Sequence, residues 1–162
     1  MLISVVGSSD ASPEAEALAE AVGRGLAERG ALLVCGGLRG VMAAACRGAK
    51  AAGGTTIGIL PGDDPAAANP WVDIAIPTGL GYARNALVVK AGAAVIAVCG
   101  SFGTLSEIGH ALADGKAVFG LRTWELSRED GGTGETTVRA QSPEDAVEKA
   151  LAAARAGATG PD

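Results

Sequence analysis

The stretch Cys99-Gly100-Ser101-Phe102-Gly103-Thr104-Leu105-Ser106-Glu107 follows an apolar run at 93–98 and leads into a helical pattern. A buried strand that empties through a glycine turn into a helix is the repeating unit of a parallel α/β sheet. The same unit can hold an anion, because glycines let the backbone approach a ligand while the free N–H groups and positive dipole end of the helix converge on one point. Thr104 adds a hydroxyl that can donate to a phosphate oxygen or cap the helix. Glu107, one turn further on, brings a carboxylate near that point that cannot bind the anion, so it is expected to serve some other purpose.

Outward from this stretch, apolar runs alternate with alanine-rich helical segments along the whole chain. Residues 2–6 form the first expected strand, and Gly7-Ser8-Ser9 turns out of it. Ser12 is placed as an N-cap, with Pro13 at the first helical position and Glu14 and Glu16 in the first turn, and the helix is expected to stop at Gly30. A strand at 31–35 opens into the second glycine turn, Gly36-Gly37-Leu38-Arg39-Gly40, and a helix over about 41–52. Strands follow at 55–60, 72–76, 93–98 (the central buried one), 117–121 and 136–140. Helices are expected over 81–92, 103–113 and from Ser142-Pro143-Glu144-Asp145 to about 156. The segments 63–70 and 123–135 read as loops, the second with Trp124 and Leu126 as its large apolar residues. The pattern predicts an α/β fold: a single doubly wound, Rossmann-like domain over 1–156, its sheet mostly parallel with helices on both faces, and a flexible tail at 157–162. All three glycine turns fall at strand carboxyl ends, the edge where such sheets bind ligands.

Composition narrows the function. Glycine (25 residues) and alanine are abundant and aromatics are only 3%, which suits helices packed closely on a sheet with many short turns. A formal net charge of −5 disfavours nucleic acid as a partner, since that affinity needs clustered Lys and Arg. Cys35, Cys46 and Cys99 are odd in number and lack CxxC spacing, so reduced thiols in a cytoplasmic protein are expected. The lone histidine, His110, gives no metal-ligand cluster. Met1-Leu2-Ile3-Ser4 lacks the basic start of a signal peptide, and no apolar run reaches transmembrane length, so no membrane partner is expected.

Several cofactor chemistries are excluded by motif. The first turn has no G-x-G-x-x-G and the second strand ends in Cys35-Gly36 with no acid for a ribose, which argues against a dinucleotide enzyme. No glycine turn continues into Lys-Ser or Lys-Thr, which removes the P-loop. Lys50, Lys90, Lys116 and Lys149 all lie within or beside helices, away from the turns where a pyridoxal lysine would sit. No resident cofactor is therefore expected. Plainer roles stand beside the functional ones. Glycine turns also serve as tight connections, and Arg84 with Glu107 can be a surface ion pair. Arg39 can meet a phosphate or face solvent, Cys99 and His110 are more often packing or solvent residues than reactive ones, and Tyr82 can stack on a base or on a second subunit.

Two segments carry a family resemblance. Cys35-Gly36-Gly37-Leu38-Arg39-Gly40-Val41-Met42 resembles the G-G-G-x-x-G-L-M segment, and residues 99–107 the P-G-G-x-G-T-x-x-E segment, of the LOG ("Lonely Guy") family, long labelled lysine decarboxylase-like. Gly81-Tyr82-Ala83-Arg84-Asn85 with residues 103–108 looks more like an uncharacterised bacterial branch of that superfamily, and molybdenum-cofactor carrier proteins are similar too. The resemblance implies a nucleoside 5′-monophosphate ligand and hydrolysis of its N-glycosidic bond to free base and ribose 5-phosphate, with Arg84 and Glu107 as the catalytic pair. A carboxylate there would stabilise the oxocarbenium-like transition state, and the planar arginine fork would hold two oxygens. The carriers imply the alternative, a protein that holds a nucleotide or pterin phosphate such as molybdenum cofactor without turning it over. A DNA-processing protein of related fold is disfavoured by the acidic charge.

The chain departs from the family's enzymes at Asn85, where they carry lysine, at Cys99-Gly100-Ser101 in place of Pro-Gly-Gly, and at Ser106 before the glutamate. The expected ligand site comprises Gly7, Ser8, Ser9, Gly36, Gly37, Arg39, Gly40, Gly100, Ser101, Gly103 and Thr104, cradling a small-molecule phosphate ligand. A homodimer is implied by the resemblance.

Overall fold

The computed structural model describes residues 1–126, 129 and 137–157. Its strands are β1 Leu2–Gly7, β2 Leu32–Cys35, β3 Thr56–Leu60, β4 Ile74–Pro77, β5 Val95–Val98, β6 Val118–Leu121 and β7 Val138–Arg139. Its helices are α1 Pro13–Glu28, α2 Val41–Ala51, α3 Asn85–Ala91, α4 Phe102–Ala113 and α5 Pro143–Gly157, with 3-10 turns at Pro65–Ala67 and Gly81–Arg84. The strands form one sheet in the order β4-β3-β2-β1-β5-β6-β7, and every pair is parallel. The chain winds outward from β1 to one edge, returns, and winds from β5 to the other. The switch point of this Rossmann-like α/β domain therefore lies between β1 and β5.

Side chains leave each strand alternately. Ile3, Val5, Leu33, Cys35, Ile96 and Val98 pack under α1, α2 and α5, while Val6, Val34, Val95 and Ala97 pack under α3 and α4. Strands buried on both faces read as continuous apolar runs, and that made them visible in the sequence. Ser4 is the polar exception on β1, and its hydroxyl donates to the Val88 carbonyl at 2.7 Å. α1 and α2 meet backbone to backbone. A Cβ on Gly23 would lie 1.9 Å from the Ala45 carbonyl oxygen, and one on Gly48 1.9 Å from that of Glu20.

Local signals behave as expected at α1. The Ser12 hydroxyl accepts from the Ala15 N–H at 3.2 Å, Pro13 opens the helix, and Gly30 at φ 71° ends the run. Elsewhere the boundaries move. The middle strand is β1, with the expected central strand, β5, beside it. The helix expected over 81–92 is divided: Gly81, at φ 55° and tied to the Pro61 carbonyl, cannot continue an α-helix, so a 3-10 turn precedes α3. β4 begins at Ile74 because the Asp73 carboxylate takes the Thr56 N–H and hydroxyl and closes the preceding loop. β7 keeps two residues of the run expected at 136–140. Of the tail expected at 157–162, Gly157 closes α5 and the remainder lies outside the described residues, as do 127, 128 and 130–136 of the expected surface loop.

Candidate functional site

A cavity of about 800 Å³ opens at the carboxyl ends of β1 and β5, at the switch point. Gly7, Ser8 and Ser9 form one wall, and Ser101, Gly103 and Thr104 at the start of α4 form another. Arg84 and Glu107 line it from the 3-10 turn and from α4.

The turn into α4 is unusual in its backbone. Cys99 at φ 49° and Gly100 at φ 110° are consecutive residues on the left-handed side, and the first of them has a side chain. The Cys99 N–H donates to the Leu121 carbonyl at 2.8 Å, and the Thr123 hydroxyl donates to the Cys99 carbonyl at 2.5 Å, which hold the turn. Gly100 is required by close approach, since a Cβ there would lie 2.4 Å from Thr104 Oγ1. Beneath it Thr104 is 2% exposed, and its hydroxyl has no hydrogen-bond partner among the described residues. Ser101 is the N-cap of α4 and makes no side-chain cap bond, so the helix end is left open toward the cavity.

Arg84 is 6% exposed. Its Nη1 donates to Asn85 Oδ1, its Nη2 donates to the Gly36 carbonyl at 3.2 Å, and its Nε has no partner among the described residues. Nη1 also lies 3.9 Å from Glu107 Oε1, a loose approach for an ion pair. Burial pushes the Glu107 carboxyl up from its ordinary 4.5 to about 7, and the neighbouring Arg84 charge only partly opposes that rise. Burial also lowers Arg84 from its usual value, but a guanidinium starts far enough above neutrality to stay charged. The site therefore presents a fixed cation, a carboxyl poised between acid and anion at neutral pH, and two buried donors without acceptors. Leaving each such donor unpaired costs about 1–3 kcal/mol, and an oxyanion in the cavity is an acceptor suited to both.

The second glycine turn sits behind this cavity. Gly36 carries the carbonyl that holds Arg84, the Gly37 carbonyl accepts from Asn69 Nδ2 at 3.1 Å, and Gly40 packs on the Ser8 and Ser9 carbonyls. None of the three lines the cavity, because their polar groups and close contacts are already taken. Gly100 likewise covers Thr104 without lining it. Arg39 is exposed and borders a second hollow of about 490 Å³ that shares Ser9 and Leu38 with the first. Cys99 lies beside the site with its thiol pushed up by burial, which works against a thiolate. His110 and Tyr82 are exposed. Cys35 and Cys46 are free thiols with sulfurs 3.5 Å apart beneath the turn. No group of three or more His, Cys, Asp or Glu suited to a metal exists among the described residues, and none of their helices is long and apolar enough to cross a membrane.

Sequence reasoning left Asn85 out of the site, as well as Met42 and Phe102, which also line the cavity. A signal existed for Asn85: it is a polar residue just ahead of Leu87-Val88-Val89, where a polar side chain turned inward needs a partner. Phe102 pairs with Trp124, ring centroids 5.7 Å apart, and the Trp124 indole donates to the Ser101 carbonyl at 3.2 Å.

The model of the SLOG cluster4 family matches residues 1–147. An uncharacterized protein from Archaeoglobus fulgidus is 43% identical over 122 residues, which are 75% of this chain and 80% of that one. The molybdenum cofactor binding protein from the phototrophic bacterium Rippkaea orientalis superposes with a TM-score of 0.85 at 38% identity, covering 93% of this chain and 95% of its own. The Moco carrier protein from Chlamydomonas reinhardtii superposes with a TM-score of 0.79 at 34% identity, covering 93% and 97%. The superfamily resemblance read from the two motifs is upheld, and these two structural neighbours are on its carrier side.

Proposed function

Because this chain belongs to the SLOG cluster4 family, we propose that it is a carrier or sensor that holds a phosphate-bearing small molecule, a nucleotide or a pterin phosphate such as molybdenum cofactor, without turning it over. The observation that carries this proposal is the pair of buried donors, Arg84 Nε and Thr104 Oγ1, that have no partner among the described residues and belong to side chains lining a cavity at the open N-terminus of α4. The helix end, the arginine charge and the threonine hydroxyl all favour an anion, and the phosphate is the part of the ligand they would hold. Similarity to the two molybdenum cofactor proteins supports the same class of cargo.

Hydrolysis of an N-glycosidic bond is the second reading, favoured by the way Arg84 and Glu107 share the cavity. A carboxyl raised to about 7 is part acid and part anion at neutral pH, so it suits a proton donor to a leaving base as well as a charge beside an oxocarbenium. The carrier reading is preferred on the two molybdenum cofactor neighbours instead. The protein is further proposed to work in the cytoplasm as a homodimer. Ile74, Ile76, Leu80 and Leu87, exposed on β4, before the 3-10 turn and on α3, support such a contact, and sedimentation velocity tests it.

The deciding experiment incubates the protein with nucleoside 5′-monophosphates and with a pterin phosphate, and follows thermal stabilisation together with release of free base. Stabilisation without release is the expected result. Release by the wild type that disappears in Glu107→Gln would establish the hydrolase in its place.

A further inference from the structure

The two hydrogen bonds on Arg84 do more than fix a side chain. A guanidinium and a carboxylate buried side by side would normally close into a forked, charge-cancelling pair. Here the fork is turned elsewhere: Nη1 is taken by Asn85 Oδ1 and Nη2 by the Gly36 carbonyl, both neutral acceptors. Glu107 is left at 3.9 Å, close enough to be felt and too far to be bonded. Asn85, Arg84 and Glu107 are each 6% exposed, so water cannot fill the gap freely. The backbone makes this possible, since the 3-10 turn Gly81–Arg84 ends as α3 begins and brings the adjacent side chains of Arg84 and Asn85 inward together.

We propose that Asn85 is a positioning residue that, together with the Gly36 carbonyl, holds the Arg84 guanidinium off Glu107, so that the two side chains stay unpaired, the guanidinium keeps its charge for an incoming anion, and anion capture is coupled to the ionisation of Glu107. The coupling to an anion rests on the carrier reading above, whereas the effect of Asn85 on Glu107 does not. Among the described residues, the charged and titratable groups around the carboxyl are few. From the 3-10 turn come Arg84 and Tyr82, from the turn after β1 comes Asp10, and behind Arg84 lies the Cys35 thiol; His110, one turn on along α4, is exposed. Of these, the Arg84 charge favours the ionised carboxyl and so opposes the larger effect of burial.

The consequence for binding has a definite sign. A phosphate monoester completes its second ionisation near pH 6, so above pH 7 its own charge no longer changes. Over that range a bound anion repels ionised Glu107 and tolerates the acid form. Affinity is expected to peak between pH 6 and 7 and to fall by up to about tenfold per unit above it.

The test begins on the free protein. The Glu107 carboxyl is followed by carbon-detected NMR between pH 4 and 9 in the wild type, Asn85→Ala and Asn85→Asp, with amide dispersion as the check on folding. The wild-type midpoint is expected near 7. Asn85→Ala releases Arg84 to close on Glu107, so its midpoint falls toward the ordinary carboxylate range. Asn85→Asp keeps an acceptor on Arg84 and adds a like charge, so its midpoint stays at or above the wild-type value. A loss of structure alone would move both variants the same way. Should Asn85→Ala not fold, Asn85→Ser breaks the clamp with a shorter polar group. A folded clamp-breaking variant whose Glu107 midpoint matches the wild type overturns the proposal. Titration with adenosine 5′-monophosphate from pH 6 to 9 then tests the coupling. A flat affinity above pH 7 overturns the proton-linked part, while no binding at any pH, with the midpoint shifts intact, counts against the carrier reading and leaves the role of Asn85 standing.

Discussion

The glycine turns after β2 and after β5 look alike in sequence and do opposite work. In the turn at 36–40 the carbonyls of Gly36, Gly37 and Leu38 are taken by Arg84 and Asn69, and Gly40 is pressed on the Ser8 and Ser9 carbonyls. In the turn at 99–104, among the described residues, the helix end has no side-chain cap, Thr104 Oγ1 has no partner, and the position of a Gly103 Cβ meets open space. Glycine serves packing in the first turn and access in the second. The difference teaches that a binding loop is marked by the polar groups it leaves unpaired, more than by its glycine content.

The same substitution should therefore have different effects in the two turns. Gly40→Ala places a Cβ 2.4 Å from the Ser8 carbonyl oxygen at φ 63°, and chemical denaturation should record a loss of about 3 kcal/mol or more. A stable Gly40→Ala protein would break the contrast.

Glu107 supplies the next largest effect, through pH. Its folded value of about 7 lies above its ordinary 4.5, so the folded state holds a proton that the unfolded chain has released. The resulting stability is fully present below pH 4.5 and is lost as pH rises through 7. Glu107→Gln removes that dependence. Relative to the wild type it should gain about 3 kcal/mol on moving from pH 4 to pH 8, read from denaturation midpoints at the two pH values. Parallel curves for the two proteins would show that Glu107 titrates as an ordinary carboxylate.

Thr104→Val sharpens the comparison from the side of the open turn. Removing a buried hydroxyl with no partner should leave the ligand-free protein equally stable or raise its stability by about 1 kcal/mol. Losing a hydrogen bond to a charged oxygen should at the same time weaken adenosine 5′-monophosphate by about 1.5–3 kcal/mol in isothermal titration. The smallest stability change belongs to Gly103→Ala. It should alter folding by less than about 1 kcal/mol, in the favourable direction, because alanine suits a helix better than glycine. Affinity should nonetheless fall, since the new methyl enters the space an anion would use.

These contrasts also mark what the sequence could reveal. The alternation of strands and helices and a parallel sheet covered on both faces were legible because the inner strands read as short apolar runs between helical segments, and the Ser12-Pro13 start and Gly30 stop bracket α1 by local chemistry alone. The order of the strands was not read, and the central place expected for 93–98 belongs to β1. The family resemblance pointed to Arg84 and Glu107, and both line the cavity. The division of labour between the two glycine turns was not legible, because it depends on Asn69 and Arg84, residues 30 or more positions away that consume one turn's carbonyls and not the other's backbone groups. The Asn85 clamp was hidden for a related reason: a helix drawn straight through 81–92 does not foresee a 3-10 turn that brings Arg84 and Asn85 inward side by side.

Amide chemical shifts under titration with adenosine 5′-monophosphate and with inorganic pyrophosphate test most directly where an anion is held. The account predicts that perturbations concentrate at the amides of residues 101–104 and at Arg84 Nε, with the amides of 36–40 nearly still. Shifts centred on 36–40, or none at 101–104 with either probe, would contradict it.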